Sequence, residues 1–160
     1  MSYPADLFVP AHTFALEPGG LVFDEELYSL AVQVEEDHDK DIWLLRLEGE
    51  LQFATQYPGA HRKCCTLNPK YRLSAKVSGK PQVVHQSYRV GQLVSVKGLP
   101  PLVVSQVIRG ATLAYSLSGE QRDLRSGEAV VWSSWELWIT DSEERAVSDT
   151  PFMQFTVRQP

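Results

Sequence analysis

Apolar and polar side chains alternate along much of this chain, and this alternation limits the folds that it can adopt. Leu30, Val32 and Val34 alternate with Ala31, Gln33 and Glu35. A spacing of two places one set of side chains on each face of a β-strand, so that one face is buried and the other contacts water. Comparable stretches predict further strands in residues 43–53, 94–96, 102–108, 113–117 and 153–157.

Turn-forming residues separate these stretches and make long helices improbable. Glycine, proline, asparagine, aspartate and serine favour tight turns, and frequent turns between short strands are typical of all-β proteins. The sequence therefore predicts a mainly β fold, an antiparallel barrel or sandwich with little helix. The predicted turns are residues 18–20, 37–41, 57–59, 78–81, 98–101, 118–119 and 126–127.

One segment also has helical spacing. Phe23, Leu27, Leu30 and Val34 would lie on one side of a helix, and Asp24 is a suitable N-cap residue. We expect a helical turn over residues 24–28, followed by a strand.

The composition is that of a globular domain. The chain has 160 residues, of which 43% are apolar and 22% charged, so it can bury a core without disulfides or metals. We expect a single compact β domain; the alternative is two subdomains, residues 1–80 and 81–160. No internal repeat is detected in the sequence, and residues 61–89 alternate poorly, which predicts a long irregular excursion.

The ends of the chain and its cysteines bear on the compartment. The N-terminus lacks a basic stretch followed by an apolar one, and no apolar run approaches the roughly 20 residues that span a bilayer. Cys64 and Cys65 are adjacent, and a bridge between neighbours would be a strained, tiny ring. We expect free thiols, a cytoplasmic location and no membrane association.

Charge is segregated along the chain. No Asp or Glu occurs between Leu51 and Gly119, although the sequence has 20 acidic residues, and this acid-free segment contains nine basic ones. Such segregation predicts a positive surface that attracts an anionic partner. The nine are Arg62, Lys63, Lys70, Arg72, Lys76, Lys80, Arg89, Lys97 and Arg109.

Three kinds of contact would use these cations. They can dock an acidic protein surface or a second copy of the chain, in which case we expect Arg62, Lys63, Arg72, Lys76 and Arg89 to steer the encounter. They can bind nucleic-acid phosphates, with Tyr71 and Tyr88 stacking on bases. They can also pair with the acidic flanks of the folded chain itself.

Part of the C-terminal half resembles a known family. The segment from Tyr88 to Val104, YRVGQLVSVKGLPPLVV, resembles the opening of small bacterial SH3-like barrels, in which a Gly-containing turn precedes a first strand and a Gly/Pro loop leads to a second. The resemblance extends over about residues 88–140. It implies an SH3-like C-terminal half and a binding role toward nucleic acid, peptide or another subunit.

The aromatic residues are densest near the C-terminus, at Trp132, Trp135 and Trp138. On one continuous strand Trp132 and Trp138 would share a face and Trp135 would take the other. Tryptophan is enriched at the centres of protein interfaces, so we expect Trp135 to be buried at the partner contact. A sugar-stacking platform built on these rings is the alternative.

Two segments resemble metal sites only in part. Residues 37–41 with Glu48 have carboxylates at calcium-loop positions, but Ile42 stands where the loop needs glycine, so a charged hairpin turn fits better. His61 and the cysteine pair lack the second ligand pair of a structural zinc site. We therefore expect no metal and no cofactor.

The sequence contains neither a nucleophile elbow nor a glycine-rich phosphate loop. It therefore favours a non-enzymatic binding or adaptor protein that docks an acidic protein partner or a second copy. The alternatives are a nucleic-acid-binding regulator and a carbohydrate-binding domain.

Overall fold

The computed structural model describes residues 2–24, 26–36, 39–59, 62–108, 111–124 and 127–158. Within these ranges the chain forms fifteen β-strands and one 3-10 helix, and the paired strands are all antiparallel. The mainly β prediction with little helix is confirmed. The elements are β1 Phe8–His12, the 3-10 helix Thr13–Ala15, β2 Leu21–Phe23, β3 Tyr28–Glu36, β4 Asp39–Arg46, β5 Thr55–Gln56, β6 Lys63–Leu67, β7 Arg72–Ser78, β8 Gln82–His85, β9 Leu93–Ser95, β10 Leu102–Ile108, β11 Ala111–Ser116, β12 Gln121–Asp123, β13 Glu128–Trp132, β14 Ser134–Thr140 and β15 Met153–Thr156.

These strands form three sheets. The N-terminal sheet has the order β1-β6-β2-β3-β4-β5, and the C-terminal sheet has the order β12-β11-β10-β9-β13-β8. A third sheet, β15-β14-β7, joins a strand of the first half to two of the second, and we call it the bridging sheet.

Three local predictions were wrong. The strand predicted over residues 43–53 ends at Arg46, because the chain turns over residues 47–53, where Gly49 has a φ of 89°, and leads back to β5. The described residues of segment 24–28 form no helix; Asp24 lies in the turn of the β2–β3 hairpin, and Tyr28 already belongs to β3. The segment 61–89 is no long excursion, because β6, β7 and β8 lie in it. Its strands alternate poorly because β7 and β8 are largely exposed, so few large apolar residues are needed there.

The strand order reveals an internal repeat that the sequence does not. If seven is added to each strand number of the N-terminal sheet, the order β1-β6-β2-β3-β4-β5 becomes β8-β13-β9-β10-β11-β12. This is the order of the C-terminal sheet read from its other edge. β7 and β14 then occupy the same place in the two units, and they pair with each other. We call β1–β7 the first repeat and β8–β14 the second.

The hydrogen bonds at corresponding places agree between the repeats. The backbone N–H of Gly19 donates to the carbonyl of Ala31 at 2.7 Å, and that of Gly91 donates to the carbonyl of Val104 at 2.8 Å. Each glycine begins a Gly-X-Leu-Val sequence. The two repeats share this short sequence match although the rest of their sequences differ. Such divergence is possible because strand order depends on backbone hydrogen bonds, which many side chains permit.

The two repeats interlock through one loop from each. The carbonyl of Phe53 in the first repeat accepts a hydrogen bond from Ser105 Oγ of the second at 2.6 Å. Reciprocally, the carbonyl of Gly119 accepts one from the backbone N–H of Gln33 at 2.8 Å. Phe53 and Gly119 both have positive φ, 68° and 86°, which suits a glycine far better than a phenylalanine.

The main hydrophobic cluster also contains residues from both halves. Leu21 and Leu67 of the first repeat pack in it with Val103 and Trp135 of the second. This cluster and the bridging sheet both join residues from the two sides of residue 80, whereas the N-terminal and C-terminal sheets lie on either side of it.

Candidate partner-binding surface

The bridging sheet has one buried face and one open face. Trp135, Leu137 and Ile139 of β14 point into the core, as does Phe155 of β15. Because side chains alternate along a strand, their neighbours lie on the opposite side of the sheet, which we call the open face. The open face comprises Arg72, Ser74, Lys76, Ser78, Ser134, Glu136, Trp138, Thr140, Gln154 and Thr156.

A polar and aromatic cluster lies at the centre of the open face. The ammonium of Lys76 lies 4.3 Å from the ring centroid of Trp138, within range of a cation–π contact. Trp138 Nε1 donates to Glu136 Oε1 at 3.3 Å, and Gln154 Nε2 donates to Glu136 Oε2 at 3.5 Å. These contacts hold the Trp138 ring half-exposed among side chains that can form hydrogen bonds.

Arg72 and Lys76 give the open face its positive charge. They are exposed and four residues apart on β7, so their Cα atoms are roughly 13 Å apart. Lys76 is opposite Glu136 in register, yet its ammonium lies over the Trp138 ring. In the described part of the chain, neither cation has a carboxylate within 4 Å. Both charges therefore face solvent without an ion-pair partner there.

The other three cations that we expected to bind a partner lie elsewhere. Lys63 is exposed on β6 in the N-terminal sheet, and Arg62 immediately precedes that strand. Arg89 lies in the segment before β9, and its Nη1 donates to the carbonyl of Arg158 at 3.1 Å. The structure therefore places the five residues in three separate parts of the chain: at the start of β6, on β7 and in the segment before β9.

One cation of the acid-free segment, Lys70, pairs with an acidic residue of the same chain, which was one of the three uses predicted for these cations. Lys70 forms an ion pair with Asp6, and the Tyr71 hydroxyl donates to the same carboxylate at 2.8 Å. The hydrogen bond from Lys70 and that from Tyr71 lower the pKa of Asp6. Arg109, by contrast, lies outside the described residues.

Trp135 does not lie at the surface, which corrects our expectation. Only 1% of its surface is exposed, its Nε1 donates to the carbonyl of Gly91 at 2.8 Å, and its ring packs 4.3 Å from that of Phe155. A ring held in this way stabilises the core and cannot anchor a partner.

Trp138, on the opposite face of the same strand, is half-exposed on the open face. The strand predicted through all three tryptophans is interrupted at Ser133, so Trp132 belongs to the C-terminal sheet and Trp138 to the bridging sheet. The sequence did contain a sign of this, because Trp135, Leu137 and Ile139 alternate and leave Trp138 in register with Glu136.

A groove runs beside β7 on the side away from β14. It has a volume of about 430 Å³ and lies between β7 and the second repeat. Its apolar lining comes mainly from Leu93, Val94, Pro101 and Trp132, with Ala75, Lys76 and Val77 contributed by β7 itself. Among the described strands β7 pairs with β14 alone, and the lining of this groove includes three consecutive residues of β7 and none of β14.

The two cysteines are free and partly buried in β6. Burial raises the pKa of Cys64 and of Cys65, and the neighbouring Cys65 raises that of Cys64 further.

We expect both thiols to react severalfold more slowly with a disulfide reagent at pH 7.5 in the folded protein than in urea, because fewer thiolates form. Equal rates in stopped-flow absorbance would contradict this prediction.

The described residues contain no group of three or more His, Cys, Asp or Glu side chains placed to hold a metal ion. Glu48 accepts a hydrogen bond from the backbone N–H of Tyr28 at 3.2 Å. β3 and β4 pair up to Glu36 and Asp39, as the predicted hairpin requires. Residues 37 and 38, and His61, lie outside the described residues.

The described part of the chain has no helix with the length and hydropathy needed to cross a bilayer. No family model, curated protein or solved structure matches this chain.

Proposed function

We propose that this chain is a non-enzymatic binding protein that docks an acidic protein partner on the open face of the bridging sheet. The observation that carries the proposal is the exposure of Arg72 and Lys76 on β7, without a described carboxylate within 4 Å and beside the half-exposed ring of Trp138. Cations around an aromatic residue supply both electrostatic steering and apolar contact area.

The remaining predicted cations have a different role in this proposal. Arg62, Lys63 and Arg89 lie on other elements, so they add to the positive field that a partner meets during approach. Trp138 replaces Trp135 as the aromatic anchor, since Trp135 is buried in the core.

The resemblance to SH3-like barrels is part of the same proposal. Within residues 88–140, β9 to β12 form a meander, and β13 returns to pair with β9. Pairing of β13, the fifth of these strands, with the first, β9, supports a small barrel-like unit. The first repeat has the same arrangement in β2 to β6. Two such units in one chain are consistent with a binding protein.

The rival functions have less support from the geometry. Base stacking would need Tyr88, which is only 8% exposed and packs in the core of the second repeat, and Tyr71, whose hydroxyl is bound to Asp6. Sugar stacking would need a free face of Trp138, and Lys76 lies over that ring. An acidic protein surface requires neither.

The proposal is tested by reversing the two charges together, in the variant Arg72→Glu with Lys76→Glu. Capture from native host lysate at low salt, followed by mass spectrometry, identifies partners that the wild type retains and the variant loses. For such a partner we expect the association rate to fall at least about tenfold at low salt, because steering acts mainly on the encounter.

The matched control carries Lys40→Glu and Arg122→Glu, which change the net charge equally at exposed positions outside the bridging sheet and outside the groove beside β7. It should retain most of the wild-type association rate. An unchanged rate in the Arg72 and Lys76 variant would refute the proposal. Binding of random oligonucleotides with a steep salt dependence would instead support the nucleic-acid alternative.

A further inference from the structure

We propose that the partner adds an extended segment to the free edge of β7 as a further antiparallel strand, with acidic side chains on the open face and apolar ones in the groove. This inference rests on the proposed function and specifies its binding mode. An unpaired strand edge exposes a row of N–H and C=O groups that pair readily with an added strand.

The internal repeat provides the template for such an addition. β14, the counterpart of β7 in the second repeat, is paired along one edge with β7 and along the other with β15. β7 pairs along one edge with β14, and no described strand occupies the other. The outer edges of β14 and β7 are therefore equivalent in the two repeats. β15 occupies the outer edge of β14, and no described strand occupies that of β7.

The way in which β15 binds β14 shows what the empty position requires. Phe155 is opposite Trp135 and only 5% exposed, and its ring lies 4.3 Å from Trp135 and 5.4 Å from Phe53. Gln154 and Thr156, on either side of it, are exposed on the open face. An extended segment with alternating apolar and polar residues satisfies both sides of the sheet.

The groove beside β7 can receive the apolar side chains of an added strand. Pro101, which is exposed, and Trp132, which is half-buried, line it together with Val77, which is 40% exposed, whereas Leu93 in the same lining is only 3% exposed. Covering these surfaces would remove apolar area from water, while the backbone of the added strand would satisfy the unpaired groups of β7.

Charge selects an acidic segment over a second copy of β7. The outer positions of β7 contain Arg72 and Lys76, so two β7 strands side by side would bring four cations onto one face. Like charges on neighbouring strands are destabilising, and opposite charges are stabilising. The sheet already places an acid beside this row, because Glu136 is opposite Lys76 on β14.

The test uses a nine-residue synthetic peptide that alternates glutamate with phenylalanine or valine and has blocked ends. We expect it to bind the full chain, and the Arg72→Glu, Lys76→Glu variant to bind it at least about tenfold more weakly. A matched peptide with lysine in place of glutamate should not bind. Isothermal titration calorimetry measures each affinity.

Two further measurements separate strand addition from simple charge attraction. In an added strand every second residue points its N–H group toward β7. N-methylation of those residues should therefore abolish binding, and N-methylation of the residues between them should not. Hydrogen exchange followed by mass spectrometry should show that roughly three or four amides of residues 72–78 become protected on binding.

The outcomes distinguish this inference from the proposed function. If both N-methylated peptides bind like the unmodified one and β7 exchange is unchanged, strand addition is wrong although docking of an acidic partner stands. If neither the peptide nor any lysate protein depends on Arg72 and Lys76, both proposals fail. If the amides of β7 become protected with rising protein concentration and the chain dimerises, a second copy is the occupant and the inference is overturned.

Discussion

Replacing Trp135 with alanine is expected to lower the free energy of unfolding by about 3–5 kcal/mol, the range for removing a buried tryptophan side chain. The ring is 1% exposed and lies at the junction of the two repeats. It packs on Phe155, and its Nε1 donates to Gly91, which belongs to the loop before β9. The variant therefore loses apolar burial and leaves a carbonyl without its donor.

Urea denaturation followed by far-ultraviolet circular dichroism measures the loss. Trp135→Phe retains part of the ring contact but lacks the five-membered ring of the indole with its N–H, so we expect a smaller loss of about 1–3 kcal/mol, which is measurable even if the alanine variant does not fold. Trp138→Ala is the matched control and should cost about 1 kcal/mol or less, because that ring is half-exposed. Equal losses at the two tryptophans would contradict our assignment of core and surface.

Replacing Asp24 with alanine is expected to lower the free energy of unfolding by about 3–5 kcal/mol, because it leaves a buried guanidinium without its counter-ion. Asp24 Oδ2 is 2.8 Å from Arg46 Nη1, and the two side chains are 3% and 11% exposed. Arg46 also donates to Gln56 at 2.6 Å and to Ser29 at 3.0 Å, so its position is fixed by the surrounding strands.

The double variant Asp24→Leu with Arg46→Met should recover most of this stability, since a buried ion pair can be replaced by apolar residues at little net cost. Glu120→Ala removes an exposed ion pair with Arg122 and should cost about 0.2–1 kcal/mol. Thermal and urea denaturation of the four proteins measure the differences. A double variant as unstable as Asp24→Ala would show that packing, and not the unpaired charge, causes the loss.

The strands could be predicted because the rule that generates them is local. Leu30 and Val32 are buried in β3, as their alternation predicts. Ala31 between them is buried as well, because a second hydrophobic cluster packs on the other face of β3. The same rule failed at Asp24, where helical spacing and a suitable N-cap coincide by composition. There the carboxylate binds Arg46, 22 residues further along the chain, and not a backbone amide two or three residues away as a cap would, so the tertiary contact outweighs the propensity.

The binding surface was predicted only in part. Charge segregation indicates a surplus of cations, and Arg72 and Lys76 are exposed together on one strand. Whether a cation has an ion-pair partner depends on which acidic residues the fold brings beside it. In the described residues Lys70, just before β7, pairs with Asp6, whereas Arg72 and Lys76 on β7 have no carboxylate within 4 Å. Trp135 and Trp138 both lie on β14, but on opposite faces of that strand, and alternation alone does not say which face the core covers; here the core covers the face of Trp135.

The amino-acid pattern alone determined that this chain is built from short antiparallel strands, that its cysteines are unpaired and that its cations cluster in the middle third. Only the tertiary structure decided that β7 pairs with β14, that two units share one strand order and that one edge of β7 is left open. The physical reason is that side-chain alternation specifies a strand and its buried face, whereas the partner of each edge is chosen by backbone hydrogen bonds, which are nearly independent of residue type.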